Sequence, residues 1–263
     1  MSAGLAPRWL PRLAKERLRG LLPRTIKRHR ILAGPLKGAR IVTSWHNYPA
    51  AIAGNTEGRL VAWFAATVKL GETWLDVGAQ YGYTSIALGR LVGRGGRVFA
   101  FEPVVATAAH LIETCRANGL AQVTVVPAAL GAPDQLALLR LPTIKGMADS
   151  TIALGAWPES LLVLRLDWLW PYLCGAVATV SGVKIDVQGM EIEVLRGMQE
   201  VLRRWRPRLV VEVHPGVSRP ELLAVLEAAG YERQGIAIEA QPGEEHGALY
   251  IDDRSYEFVA ASA

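Results

Sequence analysis

From Gly38 onward, unbroken apolar strands alternate with helical segments, and this alternation constrains the fold more than any other feature of the chain. "TWLDVG", "GRVFAFEP", "QVTVVPAAL", "GVKIDV" and "RLVVEVHP" read as strands, with "YTSIALGRLVG" and "VATAAHLIETCRANG" as helices between the first three. Strands that are apolar on both faces and separated by helical crossovers form a parallel sheet covered on both sides. "GARIVTSW" precedes them as a short strand, followed by a helix from Glu57 to Leu70 that Gly71 closes. Further on, "GMEIEVLRGMQEVLRRW" reads as one helix, and "SRPELLAVLEAAG" as another with Ser218 as its cap. "GIAIEA" and "GALYIDD" flank a loop at Gly243–His246 and read as an antiparallel hairpin. Gly131 to Gly182 is less regular.

A chain of 263 residues with 51% hydrophobic content can bury one good core, so one α/β domain with an appendage is expected. The net charge of +5 is uneven. Residues 1–30 hold nine Lys/Arg against Glu16 alone, a local charge of +8 that leaves −3 for the rest. The basic character therefore belongs to an N-terminal extension, residues 1–37, ahead of the domain at 38–263. A nucleic-acid-binding core has no support. In the extension, Trp9, Leu10, Leu13, Leu18, Leu21 and Leu22 recur at helical spacing, with Pro11 and Pro23 bounding a helix from Arg12 to Leu22. Such a basic amphipathic helix leaves open peripheral membrane contact, docking on the core, or a homodimer. Arginines interrupt every apolar run near the start, so no signal peptide is expected. The uncharged run Trp168–Val183 falls short of the roughly 20 residues of a membrane span. Cys115 and Cys174 read as buried thiols in a reducing cytoplasm.

The loop after the first long strand, "DVGAQYGYT", points to a ligand. In an open α/β sheet, ligands sit beyond the carboxyl ends of the strands. A dinucleotide fingerprint reads G-x-G-x-x-G and presents helix amides to a pyrophosphate. Here Gln80 stands where the second glycine belongs, and the Asp76 carboxylate repels phosphates. S-adenosylmethionine carries an ammonium and a sulfonium and no phosphate, so an acid beside the loop favours it. Glu102, at the end of the next strand, can accept hydrogen bonds from both ribose hydroxyls.

"LDVGAQYGYTSIAL", "GGRVFAFEP", "RANGL", "VPAALG" and "VKIDVQGMEIEVLRG…RPRLVVEVHP" resemble, in order and spacing, the FkbM family of S-adenosylmethionine-dependent methyltransferases. The resemblance covers roughly Tyr48 to Pro215. It implies a class I methyltransferase (Rossmann-like) fold: a three-layer α/β sandwich on a mostly parallel seven-stranded sheet with an antiparallel last strand. It also implies O-methylation. Cofactor contacts are then expected from the loop residues Gly78, Ala79, Gln80, Tyr81 and Gly82, with Asp76 before them and Thr84 after. Glu102 with Pro103 follows the second strand and Ala128 the third, while Asp186 and a lid carrying Asn55 and Glu57 close the set. The chain departs from the family pattern at Gln80, usually Asn, and at Gln188 and Met190, usually an acid and a small residue.

Methyl transfer is an in-line displacement, so orientation supplies much of the acceleration, and an alcohol must also lose its proton. Alternation puts Lys184 and Asp186 on one face of their strand, and Glu212 and His214 on one face of the neighbour. Asp186 is the leading catalytic residue. His214 can serve as base, and Lys184 as a charge partner for Asp186 or Glu212. Asp186, Glu212 and His214 leave a divalent metal open, but Gln188 removes a fourth acid, and none is expected. The acceptor is expected between Trp45, Tyr48, Trp157, Trp168 and Trp170, with "LPTIKGMADSTIALGAWPES", Leu141 to Ser160, as its loop. The expected activity is O-methylation of a sugar, glycolipid, polyketide or similar metabolite. The alternatives are a non-catalytic S-adenosylmethionine-binding interaction protein and an NAD-dependent oxidoreductase.

Overall fold

The computed structural model describes residues 20–141, 143–144, 147–148, 159–174, 179–239 and 250–261. Residues 12–19 of the expected helix Arg12–Leu22, most of the Leu141–Ser160 loop with Trp157, and the loop at Gly243–His246 lie outside them. The chain opens with a hairpin of β1 (Lys27–Arg30) and β2 (Arg40–Thr43), paired antiparallel, followed by helices α1 (Pro49–Ala53) and α2 (Gly58–Thr67). Then come β3 (Thr73–Val77), α3 (Tyr83–Val92), β4 (Arg97–Phe101), α4 (Val105–Ala117) and β5 (Val123–Val126). Next are β6 (Ala129–Leu130), β7 (Ala137–Leu141), the ribbon β8 (Thr143–Ile144) with β9 (Met147–Ala148), β10 (Glu159–Leu164) and α5 (Leu166–Cys174). The chain closes with β11 (Gly182–Ile185), α6 (Glu191–Arg196), α7 (Gln199–Trp205), β12 (Arg208–Val213), α8 (Arg219–Ala228), β13 (Ile236–Ala237) and β14 (Arg254–Phe258).

Seven strands form the main sheet in the order β13-β14-β12-β11-β3-β4-β5. Neighbours from β12 to β5 run parallel, and β14 runs antiparallel to both β12 and β13. This is the sheet that the resemblance implies. Side chains alternate between its two faces. Leu75, Val77, Phe99, Phe101, Val183, Ile185, Leu209 and Val211 pack with residues of α5 to α8 in one core cluster. The opposite parity, with Trp74, Val98, Ala100 and Val210, packs with α1 to α4 and the β1–β2 hairpin in the other. Asp76, Glu102, Lys184 and Glu212 share that second parity, so the sheet sorts its charged groups onto one side.

Several expectations are corrected. The stretch from Gly131 to Gly182 holds a second sheet, with β10 parallel to β6 and antiparallel to β7, and helix α5. Pro171 lies inside α5, where a helix-breaking residue hides the pattern. The single helix expected from Gly189 is broken into α6 and α7. At the break, a Cβ on Gly197 would stand 1.8 Å from the Gly131 carbonyl oxygen. The start of α7 is capped from outside: the Asp167 carboxylate of α5 accepts from the Glu200 and Val201 amides at 3.1 and 3.0 Å. The last described strand is Arg254–Phe258, with Tyr250–Asp253 of the expected "GALYIDD" strand leading into it outside any strand, although the antiparallel pairing with its predecessor holds. The helix expected from Glu57 to Leu70 spans Gly58–Thr67. Trp170 is buried against Phe99 and Trp205 in the core, and so does not frame an acceptor. Cys115 is buried, while Cys174 is only half-buried. Among the described residues, no helix is long and apolar enough to cross a membrane.

Candidate functional site

The loop between β3 and α3 turns in left-handed backbone at Gly78 (φ 80°), Gln80 (φ 50°) and Gly82 (φ 92°). The amides of Gly78 and Ala79 both donate to the Phe101 carbonyl at 3.0 Å, which ties the loop to the end of β4. Glu102 follows that carbonyl. Its Oε2 accepts from the Gln80 amide and its Oε1 from the Val104 amide, each at 2.9 Å. Only 4% of Glu102 is exposed. Burial pushes its carboxyl up to about 8, against the opposing pull of those two amides.

A cleft opens over this loop, at the carboxyl ends of β3, β4 and β11. Gly78, Ala79, Gln80, Thr84, Glu102, Pro103, Ala128, Lys184, Asp186 and Glu57 of the expected set line it. Tyr48, Tyr83, Leu139, Leu161, Gln188 and Met190 join them. Leu139 and Leu161 come from β7 and β10, in the stretch that sequence reasoning left irregular. Glu57 stands at the cap of α2 in left-handed backbone (φ 53°). Burial and the Asp186 charge push its carboxyl up to about 7.

Three expected contacts lie elsewhere. Asp76 is fully buried and does not line the cleft. Its Oδ2 accepts from the hydroxyls of Thr84 and Ser85 at 2.8 and 2.6 Å, and its Oδ1 stands 3.4 Å from Lys184 Nζ. It anchors the first turn of α3 to the sheet. Tyr81 is buried behind the loop, its hydroxyl accepting from Asn47 Nδ2 at 2.7 Å. Gly82 is the α3 cap, and a Cβ there would stand 2.3 Å from Leu111 Cδ1. Asn55 and Trp45 are also absent from the lining, and Trp168 is 45% exposed with the Arg165 guanidinium over its ring.

The catalytic candidates do come together. Lys184 pairs in register with Asp76, which sets their side chains side by side on one face. Its Nζ donates to the Gly78 carbonyl at 3.2 Å and lies 3.5 Å from Asp186 Oδ2. Burial opposes the Lys184 charge, but Asp186 and Asp76 outweigh it and hold the ammonium above its ordinary range. Burial likewise opposes the Asp186 charge, and Lys184 and His214 outweigh it and hold that carboxyl low. His214 Nδ1 lies 2.6 Å from Glu191 Oε1, and its Nε2 lies 2.7 Å from Gln188 Nε2. Burial disfavours the imidazolium, yet the Glu191 bond with the charges of Asp186 and Glu212 raises His214 to about 9. Glu212 and His214 are not among the lining residues, and of the four catalytic candidates Lys184 and Asp186 line the cleft. The Glu191 partnership joins residues 23 apart in sequence, and no local pattern marks it.

The Glu102 shift has a thermodynamic consequence. Between its ordinary 4.5 and about 8, the folded chain keeps a proton that the unfolded chain has lost. Stability from this group is therefore complete below 4.5 and is lost as pH rises through about 8. Linkage gives a loss of about 2 kcal/mol between about pH 6 and about pH 8. Urea midpoints at the two pH values should fall less steeply in Glu102→Gln than in the native chain by about that amount, the remaining slope coming from Glu57 and His214. Equal slopes in both proteins would contradict the burial-driven shift.

Comparison with known proteins adds a separate line of evidence. The FkbM methyltransferase structure from Methylobacillus flagellatus KT is 16% identical with a TM-score of 0.48, over 75% of this chain and 50% of that one. This chain therefore spans about half the length of that relative. The O-methyltransferase TomG from Streptomyces achromogenes, solved with S-adenosylmethionine, is 14% identical over 81% of this chain and 83% of its own (TM-score 0.48). Aeropyrum pernix fibrillarin, also with S-adenosylmethionine, is 15% identical over 90% and 89% (TM-score 0.48). No curated protein matches. The profile described as the Methyltransferase FkbM domain matches residues 76–233, from the aspartate of β3 to just beyond α8. A match over more than half of the chain, on the segment that builds the loop, Glu102 and the Lys184–Asp186 strand, makes this protein a member of the FkbM methyltransferase family.

Proposed function

We propose that the protein is an S-adenosylmethionine-dependent O-methyltransferase that acts on a hydroxyl of a sugar, glycolipid, polyketide or similar metabolite. The charge of the cleft lining carries this reading. Glu57, Glu102 and Asp186 face the cleft with Lys184 as the one cationic side chain among the described lining residues, and no arginine is among them. Burial keeps the Glu57 and Glu102 carboxyls partly protonated, and a ligand bearing an ammonium and a sulfonium would favour their ionised form, which a pyrophosphate would oppose. That donor set fits S-adenosylmethionine and disfavours NAD. Bound, the cofactor supplies an electrophilic methyl group on sulfur.

The chain's own residues then divide the work. Glu102, fixed by two backbone amides, accepts from the ribose hydroxyls, and Gly78 to Gln80 bring backbone against the ligand. Asp186 has both oxygens engaged, by Lys184 on one side and by Gln188 and His214 on the other, so its role is to hold charge and orient. Among the described residues Glu57 carries one bond, from Thr56 Oγ1 at 3.5 Å, and it lines the cleft as the carboxylate placed to receive the acceptor's proton. Leu139 and Leu161 give the acceptor side an apolar wall that excludes water. The acceptor is met in the cytoplasm, or at a membrane surface reached through the basic segment at 1–30.

Calorimetric titration with S-adenosylhomocysteine tests the cofactor. Micromolar affinity is expected for the native chain, with a loss of at least about 100-fold in Glu102→Ala, since a buried carboxylate's two ribose bonds are worth about 1.5–3 kcal/mol each. Failure of the folded native chain to bind at all would remove the cofactor assignment.

A further inference from the structure

We propose that Asp186, Glu212 and His214 form a binding site for a divalent transition-metal ion at the cleft. One donor atom from each residue lies within 4.8 Å of the other two. His214 Nε2 stands 3.5 Å from Asp186 Oδ1 and 3.5 Å from Glu212 Oε1. Metal–ligand bonds of about 2.1 Å place neighbouring donors about 3.0 Å apart at octahedral angles and about 3.4 Å apart at tetrahedral ones. The two His214 spacings need a contraction of at most about half an ångström, and the two carboxylates, whose donor atoms lie within 4.8 Å, would turn inward on the ion. Imidazole with carboxylates is a donor set for Mn²⁺, Fe²⁺ or Zn²⁺.

Two further observations point to an ion. Glu212 is 5% exposed, and among the described residues the one hydrogen bond to its carboxylate is a 3.5 Å contact from Ser255 Oγ. A buried carboxylate so placed needs a cation beside it; the His214 imidazolium is that cation in the free chain, and a bound ion would take its place by displacing the Nε2 proton to solvent. The Glu212 carboxylate is aimed at His214 and Asp186, and the nearby ammonium of Lys184 is already shared by Asp76, Asp186 and the Gly78 carbonyl. The second observation is the setting of the histidine. Glu191, fully buried, takes the Nδ1 proton at 2.6 Å, which turns Nε2 toward the two carboxylates. A histidine oriented by a carboxylate on its far nitrogen is the usual support for a metal ligand. Gln188, whose amide sits 2.7 Å from Nε2 and 3.3 Å from Asp186 Oδ1, supplies a fourth donor when turned to present Oε1. The acid lost at this position leaves a neutral oxygen ligand in its place.

Asp186 is the member of the trio that lines the cleft, so the ion's open side faces the acceptor. Resting on the methyltransferase reading, the ion would bind the acceptor's hydroxyl oxygen and lower its pKa, with the proton passing to Glu57.

The test is titration of the metal-stripped full chain with Mn²⁺ alone, followed by electron paramagnetic resonance. One site of micromolar affinity is expected in the native protein. Glu212→Gln should weaken it at least 10-fold, and Glu191→Gln, which touches no ion, by about 10- to 100-fold. Circular dichroism verifies that each variant is folded, and the native titration stands without them. No saturable Mn²⁺ binding by the folded native chain overturns the site, as does binding that both substitutions leave unchanged. S-adenosylhomocysteine affinity, measured on the same metal-stripped samples, reports separately on the cofactor reading.

Discussion

Lys184→Met should destabilise the fold by roughly 3–5 kcal/mol, read as a drop in the urea midpoint at unchanged slope. Lys184 is 3% exposed, and its ammonium stands between Asp76, which is fully buried, and Asp186. Removing one partner of a buried pair leaves the other charge uncompensated in a low-dielectric surround, and that desolvation exceeds the value of the pair itself. Asp76 keeps its bonds from Thr84 and Ser85 in the variant, but hydroxyls do not neutralise a carboxylate. Adding Asp76→Asn should therefore recover part of the loss, a coupling that a double-mutant cycle measures. A loss below about 1 kcal/mol, or strict additivity of the two substitutions, would show that this ammonium does not hold the strand ends together.

Gly78→Ala should be comparably damaging, and for a different reason. At φ 80° an L side chain is strained, and a Cβ would lie 1.8 Å from the Asp186 carbonyl oxygen and 2.8 Å from its carbon. Both are backbone atoms with no rotamer to yield, so the glycine loop or the end of β11 must move. The cofactor loop and the catalytic strand are thus in direct backbone contact at this glycine. A loss of at least about 3 kcal/mol is expected, or a shifted loop with at least a 100-fold loss of S-adenosylhomocysteine affinity. Gly71→Ala separates the two causes, since Gly71 has φ 82° with nothing within 4 Å of its Cβ position. It should cost only about 1 kcal/mol. Equal effects of the two substitutions would mean that conformation, and not contact, decides.

The central sheet and most of the cofactor lining were legible in the sequence because both follow from short-range rules. Alternation within "TWLDV", "VKID" and "VVEVH" sorts polar from apolar positions, and parallel neighbours bring the polar ones into one row at the strand ends. Glu102 was legible as the acid closing the second strand. What escaped depends on contacts distant in sequence. The break between α6 and α7 at Gly197 needs the carbonyl of Gly131, and the cap of α7 comes from Asp167. The β1 strand "KRHR" carries no apolar pattern and is fixed by its pairing with β2. Asp76 was assigned to the ligand because a carboxylate beside a glycine loop has two uses, and spacing does not reveal that Thr84, Ser85 and Lys184 already claim it. The short strands β7 and β10 make a sheet only with each other and β6. No local signal marks Leu139 and Leu161 as walls of the cleft.

The segregation of the charged groups onto one parity of the sheet also bears on how this chain can vary. Along β11 the even positions carry the chemistry and the odd ones fill the opposite core, so tolerance to substitution should alternate residue by residue. Val183 and Ile185 can exchange for other aliphatics of similar volume, whereas Lys184 cannot change without stranding two acids. A single inserted or deleted residue is a different matter. It would carry an aliphatic into the polar row and an ammonium into the apolar layer of α5 to α8, and so lose chemistry and core together. Length variation is thereby confined to the connections between the strands, which is where the walls of the acceptor side are built.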